Sequence, residues 1–333
     1  MKSAGKSVAI IGCGAVVEEA YTNALTRLSR NGWHLCFVDT NASRSAALAD
    51  RFDRAGSTAS ITNVTGRVSH AVVSTPPASH YPICSALIEG GVHVLCEKPF
   101  VSDPNEGFAL VRRAREAGLK LQVNQTRRWF PASLEAKRMI SEHAIGEITS
   151  VTARSGTRFN WPTKTAFYSQ PELTRNGILS DQGSHVFDLV GWILGRKLEP
   201  LDVQHDGYAG PETTVRVEFS LGPVRGTAVM TWLVTVPTRL EFIGTKGRLI
   251  IDDDCNRVLI QIGDETREIS GAVRYANYQA IVSDVINSFV SGEEKPSVAS
   301  AESVMPSVVF LDRAYQIGKA TIPLVTTLGV ASQ

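Results

Sequence analysis

The first 125 residues alternate between short apolar runs and stretches whose apolar positions recur at helical spacing. Ser7 to Ile11, Trp33 to Val38, His70 to Ser74, Val92 to Cys96 and Leu119 to Asn124 are the runs, and a further strand falls near Ser57 to Ile61. Between the first two, Val16 to Ser29 carries Ala20, Ala24, Leu25 and Leu28 on one helical face. Further helices are predicted over about Ser43 to Phe52, over Tyr81 to Glu89, and from a cap at Ser102 or Asp103 to Gly118. Strands separated by helices predict a parallel, doubly wound sheet.

The pattern changes after Gly146. A helix over about Ala132 to Glu142 leads into alternating stretches at Glu147 to Arg158, Thr213 to Ser220, Val224 to Val234 and Arg239 to Ile243. Three more follow at Arg248 to Ile251, Val258 to Ile262 and Glu265 to Ile269. Period-2 alternation broken by Gly, Pro or Asp predicts a large, mostly antiparallel open sheet. Helices at about Tyr275 to Ser291 and Glu302 to Lys319 close the chain. The expected architecture is α/β: a doubly wound domain over residues 1–125, then an α+β domain over 126–333.

Composition narrows the function classes. The chain has 333 residues, a formal net charge of +1 and 43% hydrophobic residues, and no stretch mixes clustered Lys and Arg with aromatics. A nucleic-acid surface is therefore not expected. Lys2 and Lys6 before the apolar run from Val8 to Val17 imitate a secretory signal, but the run contains two glycines and meets Glu18 and Glu19. No apolar segment approaches the roughly 18–20 residues that span a bilayer. Five scattered cysteines without a Cys-x-x-Cys pair point to reduced thiols and a cytoplasmic location. No His-Glu-x-x-His or clustered Cys set suggests a metal site.

Candidate chemistry begins at Gly12-Cys13-Gly14-Ala15-Val16-Val17, which joins the first strand to the first helix. Gly12 permits the tight turn and Gly14 lets backbone approach a pyrophosphate. Ala15 and Val16 open a helix whose free N–H groups favour that anion. Val17 stands where the dinucleotide pattern has a third small residue, so helix and sheet are expected to lie slightly further apart there. Asp39 closes the second strand, where a carboxylate accepts both ribose hydroxyls and repels a 2′-phosphate. NAD is thus the expected cofactor, and Arg44 leaves NADP as the alternative. Ser74-Thr75-Pro76 is a stiff loop at the ligand edge, suited to the nicotinamide ribose. His80 is placed with this cofactor loop, although a helix-start role is the plainer reading of it.

Val92 to Cys96 ends at Glu97-Lys98-Pro99, on the same carboxyl edge. A lysine there can donate to a substrate hydroxyl or share its proton, whereas a surface Glu97–Lys98 ion pair would contribute only about 0–1 kcal/mol. In the second half, Asp181 and His185 are four apart and stand one helical turn from each other. A carboxylate beside an imidazole fixes its tautomer and suits acid–base work near neutral pH, while a capping Asp181 beside an interfacial His185 is the bland alternative.

This set of motifs resembles the Gfo/Idh/MocA oxidoreductases, typified by glucose–fructose oxidoreductase and inositol dehydrogenase. The resemblance rests on Gly12-Cys13-Gly14, Glu97-Lys98-Pro99, Arg128 with Pro131, Asp181-x-Gly183-x-His185-x-x-Asp188 and Gly244-Thr245-Lys246-Gly247. It implies a Rossmann domain followed by a mixed domain whose open sheet builds a homodimer or homotetramer. It also implies a cis Lys98–Pro99 peptide, with Glu97 and Lys98 beside the cofactor. Lys98, Asp181 and His185 would surround the carbon that exchanges hydride, in a sugar, sugar derivative, sugar nucleotide or cyclitol. Arg128, Trp161 and Lys164 are further pocket candidates, Trp161 as a stacking platform for a sugar ring. Two other activities stay open within the resemblance: a lyase or glycosidase that oxidises only transiently with no net redox change, and a non-catalytic NAD-binding sensor. The stretch Asn176-Gly177-Ile178 departs from the family pattern and leaves the substrate unidentified.

Overall fold

The computed structural model describes residues 5–158, 177–207, 211–252, 255–269, 277–293 and 295–321. They fall into two compact units: 5–129 with 277–293 and 295–305, and 130–158, 177–207, 211–252, 255–269 with 306–321.

In the first unit, β1 (Ser7–Ile11), β2 (His34–Val38), β3 (Ala55–Thr58), β4 (His70–Val73), β5 (His93–Cys96) and β6 (Leu121–Val123) form one parallel sheet in the order β3-β2-β1-β4-β5-β6. This doubly wound order reverses at β1, and the carboxyl ends beside the reversal are where such sheets bind ligands. Val8, Ala9, Ile10, Val72 and Val94 are fully buried. Uninterrupted apolar strands are the signature of a sheet covered on both faces. The helices of this unit are α1 (Thr22–Arg30), α2 (Ala42–Ala49), α3 (His80–Glu89) and α4 (Pro104–Glu116). Asn41 caps α2 by accepting the Arg44 N–H at 3.2 Å, and Asp103 caps α4 by accepting the Asn105 N–H at 2.8 Å.

The structure differs from the sequence expectation at two places in this unit. The first helix is not uniform: it starts at Ala15, widens into a π-helical turn over Val17–Tyr21 and then becomes α1. Val17, the residue lacking the usual small side chain, opens that wider turn and is fully buried. The third strand lies at Ala55–Thr58 rather than Ser57 to Ile61, because the Ser60 side chain accepts the Thr62 N–H and turns the chain into a 3₁₀ segment at Ile61–Asn63.

One helix from the later part of the chain packs in the first unit. The helix Tyr278–Ser291, which would be the next in this unit, packs on α1 and buries Ile281, Val285, Ile286 and Phe289 in the first unit. Phe289 meets the His70 ring edge-on at 5.2 Å. An apolar stripe signals that a helix is buried but not against what, so its packing partner is not legible from the stripe alone.

The second unit contains α5 (Pro131–Ser141), α6 (Ile178–Asp181) and α7 (Gly183–Leu194); the helix Tyr278–Ser291 is then α8, and α9 is Ala301–Ile317. Its strands are β7 (Ile148–Gly156), β8 (Glu199–His205), β9 (Thr214–Leu221), β10 (Val224–Thr231), β11 (Val236–Gly244), β12 (Arg248–Asp252), β13 (Arg257–Ile262), β14 (Glu265–Glu268) and β15 (Lys319–Ala320). They form a nine-stranded sheet in the order β14-β13-β12-β11-β7-β10-β9-β8-β15. Its pairs are antiparallel except β7–β10 and β8–β15. Sequence alternation did not reveal β8, since a register shift between Pro200 and Asp202 puts Pro200 and Val203 on the buried side and destroys the period of two. The core lies between this sheet and α5, α7 and the later part of α9, with the Phe187 and Phe310 rings tilted at 4.2 Å and Phe187 edge-on to Phe219. No described helix in the chain is long and apolar enough to cross a membrane.

Histidines gather at the amino edge of the parallel sheet. His70 and His93 are register partners with rings 5.0 Å apart, and Trp33 meets His70 edge-on at 5.4 Å. Burial, with the charges of His93 and Lys120 adding to it, lowers the His70 pKa from 6.5 to about 4. Between those two values the unfolded chain binds a proton that the folded ring refuses, so stability is full above about 6.5 and declines on acidification toward 4. Urea midpoints measured from pH 7 to pH 4 should therefore fall in the wild type and fall less steeply in His70→Gln. Equal slopes would show that this ring does not carry the acid sensitivity.

Candidate active site

Four chain segments leave the carboxyl ends of adjacent parallel strands at one level. Ile11 pairs in register with Val38 and Val73, and Val73 with Cys96, so Gly12, Asp39, Ser74 and Glu97 all begin their loops along one edge. Gly12 has φ +88°, and a Cβ built on it would lie 2.7 Å from the Ser74 carbonyl oxygen. Only glycine satisfies both conditions. Gly14, two residues on, would direct a Cβ into space with nothing within 4 Å. That opening beside the helix start at Ala15 and Val16 fits a pyrophosphate, which the helix N-terminus attracts.

Asp39 holds this turn from the next strand. Its Oδ2 accepts the Cys13 N–H at 2.8 Å and its Oδ1 accepts the Asn41 N–H at 2.8 Å, while Arg44 Nη1 lies 3.5 Å from Oδ2. Burial and the Asp39 charge push the Cys13 thiol up to about 12, so it stays protonated. The Ser74 hydroxyl lies within hydrogen-bonding distance of the Ile11 and Gly12 carbonyls, and Thr75 accepts from Ser79 at 2.7 Å. Gly12, Gly14, Asp39, Arg44, Ser74 and Thr75 are thus one connected edge, to which Pro76 belongs by sequence.

Two expected cofactor residues turn inward instead. His80 is 0% exposed, with Nε2 2.8 Å from the Thr75 carbonyl and Nδ1 2.9 Å and 3.0 Å from the Phe100 and Pro99 carbonyls. It ties the loop after β4 to the loop after β5 and presents no surface to a ligand. Burial lowers its pKa, against the Phe100 and Thr75 carbonyls, which favour the protonated ring. Glu97 is 7% exposed, and its Oε1 accepts from the Tyr21 hydroxyl and from Asn124 Nδ2, the latter at 2.6 Å. Its Oε2 accepts the Lys98 N–H at 3.1 Å. Burial and the Glu97 charge raise the Tyr21 pKa far above its usual value, which keeps that phenol a donor. The Glu97 carboxylate therefore fixes the backbone of Lys98, whose side chain is half-buried and whose peptide to Pro99 is cis.

Arg128, expected in the substrate pocket, is 1% exposed and donates through Nη1 to the Ser303 hydroxyl at 2.9 Å and through Nη2 to the Ser303 carbonyl at 3.1 Å. The long guanidinium fork is used inside the first unit as a brace. Trp161 and Lys164 lie outside the described residues.

In the second unit, Asp181 ends α6 and His185 lies in the first turn of α7. The intervening Gln182 keeps right-handed helical angles, φ −82° and ψ −35°, so the two helices continue one path. Gln182 Nε2 donates to Asp181 Oδ2 at 3.3 Å, and its Oε1 accepts from Ser155 of β7, which is itself 2.9 Å from the Thr238 hydroxyl of β11. Ser184 donates to the Asp181 carbonyl at 2.9 Å. His185 is 8% exposed and Asp188, one turn later, is also buried.

Comparison with known proteins decides what this edge belongs to. The oxidoreductase-family model with an NAD-binding Rossmann fold matches residues 6–125, and the GFO/IDH/MocA C-terminal domain model matches residues 133–250. The chain belongs to the GFO/IDH/MocA family. Within reach of this family assignment, the scyllo-inositol 2-dehydrogenase (NADP(+)) IolW of Bacillus subtilis is 38% identical over 124 residues, 37% of this chain and 34% of that protein. The D-glucoside 3-dehydrogenase of Escherichia coli is 30% identical over 198 residues, 59% of this chain and 56% of that protein. The matches thus span between about a third and just over half of these curated relatives. The structure of KijD10, a 3-ketoreductase from Actinomadura kijaniata in complex with NADP and TDP-benzene, has a TM-score of 0.80 at 20% identity. That likeness covers 94% of this chain and 98% of that one and shows a shared fold.

Tyr21, Asn124 and Glu212 did not emerge from the sequence, although each makes a buried hydrogen bond around a candidate residue. Only the strand-end position of Asn124 offered a signal. The two GFO/IDH/MocA-type glycines separate experimentally. Gly12→Ala should lower stability by about 1–2 kcal/mol or more, from left-handed strain plus the clash with Ser74. Gly14→Val should keep the melting temperature close to wild type and weaken NAD binding, as measured by calorimetry. Unchanged NAD affinity in Gly14→Val would place the pyrophosphate elsewhere.

Proposed function

We propose that this GFO/IDH/MocA protein transfers hydride between NAD(P) and a secondary alcohol or ketone of a sugar, sugar derivative or cyclitol. The observation that carries the reading is the shared carboxyl edge: the glycine turn, Asp39 and the Glu97-braced Lys98 lie on neighbouring parallel strands of one sheet. Ligands of open α/β sheets bind along that edge. The cyclitol and glucoside dehydrogenases among the relatives support the substrate class.

Gly12, Gly14, Ala15 and Val16 would hold the pyrophosphate and Asp39 the adenosine ribose. The charge of Asp39 disfavours a 2′-phosphate, and Arg44 beside it offsets part of that repulsion, so NAD is preferred over NADP by a modest margin. When bound, the nicotinamide supplies a hydride acceptor or donor. The chain's own residues manage the proton. In this reading Lys98 donates a hydrogen bond to the reacting oxygen, and its backbone is kept in place by Glu97. His185, oriented by Asp181, removes the hydroxyl proton during oxidation and returns it during reduction. Positioning both groups on one oxygen lowers the barrier by stabilising the developing alkoxide as the carbon loses hydride.

A panel of cyclitols, hexoses, uronic acids and nucleotide sugars, followed by NADH formation and product analysis, identifies the substrate. On the best substrate, Lys98→Met and His185→Asn should each lower kcat by about 10²–10⁴-fold while leaving NAD affinity near wild type. Turnover within a few-fold of wild type in either variant would remove that residue from the mechanism.

A further inference from the structure

Glu212 is a buried carboxylate outside every motif discussed above, and all of its described hydrogen bonds converge on one place. Its Oε2 accepts the Gly177 N–H at 3.0 Å and its Oε1 accepts the Leu179 N–H at 3.0 Å. Its backbone carbonyl accepts the Ile178 N–H at 2.9 Å. One residue thus takes three successive N–H groups at the start of α6, the turn that ends in Asp181 and continues to His185. These are donors that a helix start leaves without an intrahelical partner. The Asp181 N–H then bonds back to the Gly177 carbonyl at 3.1 Å, so the clamped residues and Asp181 are one hydrogen-bonded turn.

The fit at this turn is specific. A Cβ on Gly177 would lie 2.0 Å from the Glu212 carbonyl oxygen and 2.6 Å from its nitrogen, so only glycine lets the two backbones approach. From the other side, the Tyr315 hydroxyl donates to Glu212 Oε1 at 2.6 Å. Burial and the Glu212 charge raise the Tyr315 pKa well above its usual value, which keeps this phenol a donor. Glu212 therefore has its negative charge matched by two backbone N–H groups and a hydroxyl, at the positive end of the turn.

We infer that Glu212, completed by Tyr315, is a positioning residue for the proton-handling pair Asp181 and His185. This inference rests on the reaction proposed above. A helix only one turn long before Gln182 has little rigidity of its own, and a displacement of about 1 Å at a catalytic group can cost about 10²-fold in rate. Glu212 supplies the rigidity through the backbone while remaining apart from the substrate. Glutamine at this position is nearly isosteric but presents an NH₂ group to a backbone N–H that needs an acceptor.

The test compares wild type, Glu212→Gln, Tyr315→Phe and His185→Asn. His185 is followed by its ¹³C-labelled ring resonance, assigned by its loss in His185→Asn, and titrated without substrate or cofactor. Turnover is measured with NAD and the best substrate of the panel. Glu212→Gln should remain folded, bind NAD as wild type, show a displaced His185 titration and lose about 10²-fold in kcat with a shifted pH profile. Tyr315→Phe should move the His185 titration in the same direction by less, and it decides the matter if Glu212→Gln does not fold. An unmoved His185 titration in a folded Glu212→Gln, or in Tyr315→Phe should that be the surviving variant, overturns the inference. Near-normal turnover in His185→Asn would instead overturn the proposed reaction, whatever the titrations of the other two variants show.

Discussion

The Glu97 carboxylate, buried at the end of β5, is the constraint on which the nucleotide side of the site depends. It accepts from Tyr21 in the π-helical turn, from Asn124 after β6 and from the backbone of Lys98. These donors come from three separate segments, so the carboxylate joins the first helix, two strands and the loop that carries the lysine. A buried carboxylate is tolerated only when its oxygens are well supplied with donors, and removing one partner from such a group is costly. Because burial and the Glu97 charge raise the Tyr21 pKa well above its usual value, the phenol stays the donor in this network. The adjacent His80 adds a second tie, from the β4 loop to the carbonyls of Pro99 and Phe100. Lys98 is therefore bracketed by backbone restraints on both sides.

The same device recurs in the other unit. Glu212 holds the turn before Asp181, as Glu97 holds the backbone of Lys98. In both cases a buried acid fixes main chain, and a tyrosine hydroxyl completes it. Main-chain restraint suits residues that must present a flexible side chain at a fixed place. Lysine in particular has a long stem and gains little precision from its own packing. Asp39 likewise fixes main chain, accepting the Cys13 N–H of the glycine turn and the Asn41 N–H at the start of α2.

Much of this was legible in the chain. The parallel strands appear as apolar runs because both faces of the sheet are covered, and Gly12, Gly14 and Asp39 follow from the local demands of a strand–turn–helix unit. Asp103 was readable, with Ser102, as the cap of α4 for the same local reason. What was not legible depends on partners far away in sequence. Tyr21 meets Glu97 across 76 positions, and Gly177 meets Glu212 across 35. Arg128, a pocket candidate from the family resemblance, gives two of its donors to Ser303, 175 positions later. His80 and Glu97 sit at the ligand edge as expected, yet their side chains point into the protein, a choice that strand position alone does not determine. β8 was missed because its bulge removes the alternation by which a strand is recognised.

We propose that Lys98 and His185 serve one reacting oxygen. A crystal structure of the protein with NAD and the best polyol of the panel tests it most directly. Lys98 Nζ and a His185 ring nitrogen are each expected within about 3 Å of the same hydroxyl oxygen, on the carbon facing the nicotinamide. A well-ordered polyol whose reacting hydroxyl is bound by neither group, or by one with the other remote, would contradict it.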